Sequence, residues 1–250
     1  MTQELCLHFC GGAIWVKRHA SFEEDIMNYF TKTEKCIWLG SCVLVILSFL
    51  IFDRGSYLNL IASLIGVTSL IYCAKGNPFG QVLIIMFSLL YGAISYSYRY
   101  YGEMATYLGM TLPMAVIALV EWIRHPYKEN KSEVEVNKIT AKDHAVMWPL
   151  TVVVTIAFYF ILKYFNTANL IVSTFSIMTS FVAVFLTARR SPYYAVAYAF
   201  NDVVLIVLWT MASLENTKYV SVLACFIAFL INDIYGFINW RRMEKRQNLY

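Results

Sequence analysis

Residues 191–213 read SPYYAVAYAFNDVVLIVLWTMAS. No Lys, Arg, His or Glu interrupts them, and the polar pair Asn201-Asp202 stands near their middle. A run of about 20 predominantly apolar residues spans the roughly 30 Å hydrocarbon core of a bilayer when it is helical. A water-exposed helix would instead carry one apolar stripe and one charged face. The stretch therefore reads as a transmembrane helix that holds a carboxylate at membrane depth.

The rest of the chain has the same character. Of 250 residues, 59% are hydrophobic and 14% are charged, against about a quarter charged in soluble domains. Such a chain cannot cover itself with polar groups in water, so the lipid bilayer is its main solvent. Apolar runs of spanning length recur at 36–52, 57–74, 79–98, 104–123, 144–165, 169–188, 191–213 and 218–240. Transmembrane strands would be about half as long and would alternate in polarity. Helices satisfy their own backbone groups inside lipid, and the expectation is an all-α membrane protein of about eight transmembrane helices.

The basic residues supply a second line of argument. If eight spans place both termini in the cytoplasm, sixteen of the twenty Lys and Arg residues fall on the cytoplasmic side, with only Arg54, Arg99, Lys163 and Lys218 outside. Cytoplasmic loops retain Lys and Arg, so the formal net charge of +4 reports topology and not nucleic-acid binding. Residues 1–35 read as a cytoplasmic N-terminal segment, since their positive charge follows the apolar run at 5–16 and no cleavage site is evident. Within that segment Cys6, His8 and Cys10 lack a second ligand pair at zinc-site spacing. They read as stray side chains of a tail. No metal or cofactor is expected. Residues 241–250 read as a basic cytoplasmic tail.

An internal repeat sets the organisation. Asn59-Leu-Ile-Ala-Ser63 answers Asn169-Leu-Ile-Val-Ser173, and Val67-Thr-Ser69 answers Met178-Thr-Ser180. Ala74-Lys75 with Pro78 answers Ala188-Arg189 with Pro192, and Trp122 before Arg124 answers Trp240 before Arg241. The reading is two parallel three-helix repeats, 57–123 and 169–240, joined by a linker helix at 144–165 (a 3+1+3 plan), with 36–52 as an extra N-terminal helix. Parallel repeats are one way in which transporters hold a solute between two halves near the midplane.

Polar residues inside the spans mark the candidate site. A carboxylate at the bilayer centre costs ~3 kcal/mol or more and normally faces a cavity or a partner. At 100° per residue, Tyr194, Tyr198, Asn201, Asp202 and Trp209 share one face of their helix. On the last helix Phe229, Asn232, Asp233, Gly236, Asn239 and Trp240 cluster likewise. Tyr194, Tyr198, Asn201, Asp202, Trp209, Asn232, Asp233 and Asn239 are the expected substrate-binding residues. Aromatic faces stack on a flat heterocycle and attract a delocalised cation, while Asn and Asp exchange hydrogen bonds with hydroxyls or an amide. For Asp233, nearer the cytoplasmic end, a purely structural hydrogen bond is the alternative. The stripe Ser173, Ser176, Ser180 and Thr187 reads as helix packing. Trp38, Trp122, Trp148 and Trp240 read as interface anchors.

Tyr101-Gly-Glu-Met104, Arg189-Arg-Ser-Pro-Tyr-Tyr194, Asn201-Asp202 with Trp209, and the run from Asn232 to Trp240 resemble the PnuC family of vitamin transporters from about residue 36 onward. The resemblance implies SWEET-like duplicated three-helix units, a homotrimer in the inner (plasma) membrane of a bacterium, and facilitated diffusion with trapping by a cytoplasmic kinase. It implies nicotinamide riboside, an NAD precursor, as solute; thiamine, riboflavin and deoxynucleosides are the alternatives within the family. Carriers of nicotinamide riboside show W-x-x-x-W-x-x-x-N where this chain has Tyr194, Tyr198 and Asp202. Tyrosine keeps the stacking face, and a carboxylate suits a pyridinium or thiazolium as well as an amide does.

Two other classes compete. An intramembrane enzyme would need a G-x-S-x-G or H-E-x-x-H motif, and neither occurs; the surroundings of Asp202 and Asp233 do not resemble an aspartyl protease site. The chain is expected not to be an enzyme. A receptor or structural membrane protein would leave the duplication unexplained.

Overall fold

The computed structural model describes residues 29–97, 101–167 and 169–248. Among them are eight helices long and apolar enough to cross a membrane. In chain order they are α1 Lys32–Phe52, α2 Tyr57–Ala74, α3 Phe79–Ser97, α4 Tyr101–Arg124, α5 Ala141–Tyr164, α6 Leu170–Ala188, α7 Tyr193–Glu215 and α8 Val220–Gln247. The only pairing of extended backbone among the described residues is an isolated bridge between Pro126 and Val134. The chain is thus a multi-pass, all-helical membrane protein. Residues up to Leu39 and residues from Gly40 onward form separate compact units. The Cys6, His8 and Cys10 cluster lies outside the described residues.

Several helices start or stop beyond their apolar runs. α1 begins at Lys32 and not at Cys36, because Thr31 and Glu34 cap each other: the Thr31 amide donates to Glu34 Oε2 at 2.7 Å and the Glu34 amide to Thr31 Oγ1 at 3.3 Å. This reciprocal bonding fills two of the amides that a helix start leaves unpaired. Thr140 and Asp143 do the same for α5, which therefore starts at Ala141 and not at 144. α8 runs through Trp240 to Gln247, so most of the expected basic tail is helix. Hydropathy measures how much of a helix sits in hydrocarbon, and it passes over polar turns that continue it.

α4 carries the one irregularity inside a span: Tyr107–Thr111 form a π-turn between α-helical segments Tyr101–Thr106 and Leu112–Arg124. α2, α3, α4, α6, α7 and α8 pack in that order, with α8 returning against α2, into a closed ring of six helices. The last helix of each three-helix stretch lies against the first helix of the other, α4 on α6 and α8 on α2. α5 packs on α6 from outside the ring. It exposes Val152, Val153, Ile156 and Phe160, all more than half accessible, as a side turned to lipid tails does.

The loops at the ends of α2 and α6 are built alike. Gly76 lies at φ 66° and Arg190 at φ 57°. The amides of Gly76 and Asn77 return to the Cys73 and Tyr72 carbonyls, and those of Arg190 and Ser191 to the Thr187 and Leu186 carbonyls, a left-handed helix close that satisfies orphan carbonyls. A Cβ on Gly76 would meet Met243 Cε at 2.6 Å. The connection 125–140 crosses both closes: the Val134 amide donates to Gly76 O at 2.9 Å and the Asn137 amide to Arg190 O at 3.0 Å. Glu133 pairs with Arg246 and Arg189 with Asp143. The Gln247 side chain accepts from the Val136 amide at 2.7 Å.

Beside these closes stand Trp122 and Trp240, both without exposed surface. Trp122 Nε1 donates to Thr187 O at 2.9 Å, and Trp240 Nε1 donates to Cys73 O at 2.8 Å. Their ring centroids are 5.4 Å apart. This corrects the reading of both as interface anchors: helix ends that face another helix bury an indole as readily as helix ends that face headgroups expose one. Trp148, by contrast, is 54% exposed.

Candidate functional site

The ring of six helices encloses a cavity of about 570 Å³. At one end its wall includes Asn166, Thr167, Glu215 and Tyr219, in the connections after α5 and α7 and the last residue of α7; at the other it stops at Cys73, Thr187 and Tyr194. No residue of 75–78, 124–140 or 189–192 lines it. It is therefore closed on the side that carries the 125–140 connection.

Six of the eight expected site residues line this cavity: Tyr194, Tyr198, Asn201, Asp202, Trp209 and Asp233. The 3.6-residue period puts the five on α7 along one edge, and α8 brings Asp233 beside them. Tyr194 and Tyr198 meet edge to face at 6.2 Å, and Tyr194 rests on Trp240 at 5.0 Å. Nearer the end bearing Glu215 and Tyr219, Trp209 lies almost parallel to Phe226, with centroids 6.5 Å apart and planes at 12°. The cavity thus has aromatic rings toward both ends and the Asn201-Asp202 pair between them.

Asn201 and Asp202 are 5% and 3% exposed. Thr179 on α6 donates to Asn201 Oδ1 at 2.7 Å, which fixes the amide against the cavity wall. Asp202 on α7 and Asp233 on α8 are neighbours, and both border the cavity. Asp202 Oδ2 has no hydrogen-bond partner in the protein. A buried carboxylate oxygen without a donor is costly unless something else supplies one, and the side chain borders the cavity.

Asn232 and Asn239 are placed elsewhere. Asn232 Nδ2 donates to Ser41 Oγ on α1 at 2.9 Å and to Ala228 O at 2.8 Å. Asn239 Nδ2 donates to Ala74 O at 2.8 Å. Each lies one residue away from a true wall position or past the closed end, and its amide ties helices together. Ser173, Ser176, Ser180 and Thr187, by contrast, all border the cavity, so the stripe read as helix packing faces open space. Serine and threonine suit both uses, and only the position of α6 in the ring separates them.

Three wall residues were not among the expected site residues, although Glu103 stands within the Tyr101-Gly-Glu-Met104 motif. Gln81 on α3 is 1% exposed, with Nε2 3.5 Å from Cys73 Sγ. Glu103 belongs to α4 and Glu215 to the last turn of α7; both line the cavity. Glu103 precedes the apolar run at 104–123, so hydropathy did not place it on the helix. An intramembrane glutamine at 81 was the signal that a stricter search for polar residues at depth would have used.

The charge of the wall is one-sided. Glu103, Asp202, Asp233 and Glu215 line the cavity, and no Lys, Arg or His among the described residues does. With flat aromatic faces beside them, these groups can hold a planar solute with positive charge and hydrogen-bonding arms.

Comparison with known proteins gives the same direction. A family model described as nicotinamide mononucleotide transporter matches residues 56–242. The nicotinamide riboside transporter PnuC of Neisseria mucosa is 23% identical over 233 residues, covering 92% of this chain and 88% of the relative. That of Haemophilus influenzae is 21% identical over 218 residues, covering 87% and 93%. The crystal structure of the vitamin B3 transporter PnuC superposes with a TM-score of 0.74 at 23% identity, over 87% of this chain and 94% of that one, so the fold is shared. The chain is a membrane transporter, not an enzyme, and belongs to the nicotinamide mononucleotide transporter family.

Proposed function

We propose that this protein carries nicotinamide riboside into the cell down its concentration gradient, with a cytoplasmic kinase trapping the solute after entry. The observation that carries this reading is the cavity wall with four carboxylates and no lining base. A pyridinium nucleoside brings one positive charge and a flat ring to such a wall. The mononucleotide brings a phosphate as well, and phosphate is ordinarily met by Arg, Lys or a helix N-terminus. The riboside is therefore the better match than the phosphorylated form. Tyr194, Tyr198 and Trp209 offer the stacking faces, Asp202 and Asp233 the counter-charge, and Asn201 the amide.

The same reading places both termini in the cytoplasm, on the strength of the basic residues gathered at the 125–140 end, and the protein in a bacterial inner membrane as a homotrimer. The two three-helix stretches act as parallel repeats, a view supported by the matching closes at Gly76 and Arg190 and by the crossed packing of α4 and α8.

Uptake of labelled nicotinamide riboside into proteoliposomes tests the proposal. The riboside should enter and be displaced by unlabelled riboside, weakly or not at all by the mononucleotide, riboflavin or a deoxynucleoside. Thiamine, also a flat cation, is the informative competitor. Uptake of the mononucleotide in preference to the riboside would refute the charge argument.

A further inference from the structure

Behind the floor of the cavity, its closed end, stand two fully buried indoles, and we infer that Trp122 and Trp240 form the gate through which the solute leaves the cavity. The inference rests on the transport reading above. Cys73 and Thr187 border the cavity at its closed end, and their carbonyls are the ones to which the buried indole N–H groups donate. Each hydrogen bond joins the two three-helix stretches: Trp122 ends α4 and reaches α6, while Trp240 on α8 reaches α2. Separation of the halves at this end breaks both bonds together, which makes the floor open or closed rather than graded.

The acceptors are suited to a bond that is made and broken. Cys73 O already accepts from the Gly76 amide at 2.9 Å, and Thr187 O from the Arg190 amide at 3.0 Å. When an indole withdraws, neither carbonyl is orphaned and the helix closes persist. The indole N–H moves to a place where water can enter, so it too keeps a partner. A hydrogen bond whose loss strands a buried group resists opening far more than one whose groups are otherwise satisfied. Asn239 adds a third tie between halves through Ala74 O, and the 125–140 connection lies across both closes from outside.

A cysteine placed at Ser180, which borders the cavity, reports on this gate; the native Cys73 is too buried to serve. With all six native cysteines replaced by Ser, Ser180→Cys should react with an impermeant maleimide from the face bearing Asn166, to which the cavity extends, and slowly from the face bearing the 125–140 connection. Trp122→Phe with Trp240→Phe keeps the rings and removes both N–H donors. The double variant should label from the 125–140 face roughly tenfold faster or more, as expected for two lost hydrogen bonds. Each single variant should lie between. Equal rates in the double variant and the parent overturn the inference; if the double variant does not fold, unchanged rates in both single variants do so equally. No solute is needed, so an error in the assigned substrate leaves the result standing. An error in membrane orientation would only exchange the two faces. As a transport readout, the single variants should change the maximal uptake rate while KM stays within about twofold, because neither indole lines the wall.

Discussion

Asp202 is where residue-level reasoning reached furthest. A carboxylate in the middle of an apolar run is improbable without a use, and the structure sets it at the cavity wall with one oxygen free of any protein donor. Asp202→Asn keeps the shape and removes the charge. For a cationic solute, affinity should fall by about tenfold or more, the worth of a charge-assisted contact at ~1.5–3 kcal/mol; unchanged binding of the riboside in a titration would remove Asp202 from the site. Tyr198→Phe should be mild and Tyr198→Ala severe, since the ring face and not the hydroxyl is assigned to stacking. Asn232 and Asn239 show where such reasoning stopped. A helical wheel gives a direction from the helix axis, but it does not say which neighbour lies that way. On α8 that neighbour was α1 for one residue and α2 for the other.

At the scale of the element, the apolar runs located every helix because a bilayer sets a length that few other environments demand. The ends were misplaced by three to seven residues wherever a capping pair or a basic turn extended the helix beyond hydrocarbon. The π-turn Tyr107–Thr111 was not legible at all. It inserts one extra residue into a turn, and thereby lets Glu103, Tyr107 and Thr111 all border the cavity. The close at Gly76 was visible only as a Gly-Asn-Pro turn signal, yet it requires the left-handed backbone and leaves no room for a side chain. Gly76→Ala should destabilise the protein by ~1–3 kcal/mol, the backbone term plus displacement of Met243. A thermal melt in detergent checks this, with Gly55→Ala as control, since a Cβ at Gly55 meets nothing within 4 Å.

At the scale of the molecule, charge placement and the repeat were both readable, because each is a pattern spread over the whole chain and survives local errors. Cysteines introduced into 125–143 and after Arg246 should resist an impermeant thiol reagent in whole cells; labelling at either place would reverse the assigned topology. Uptake should be uncoupled: purified protein given only a proton gradient should not accumulate the solute against its own gradient, and such accumulation would argue for a different mechanism. The ring closure and the crossed indoles were beyond the sequence, since both depend on which helix neighbours which. They bear on what a cut in the chain would do. Residues 128–132 are exposed at the tip of the connection, whereas Glu133 and Val134 beyond them are buried. A protease nick at Lys131 would part the polypeptide into two pieces, each of which carries the tryptophan that completes the other. The pieces should stay hooked together through purification and keep their uptake, so that a band pattern of two fragments on a denaturing gel would report an intact carrier.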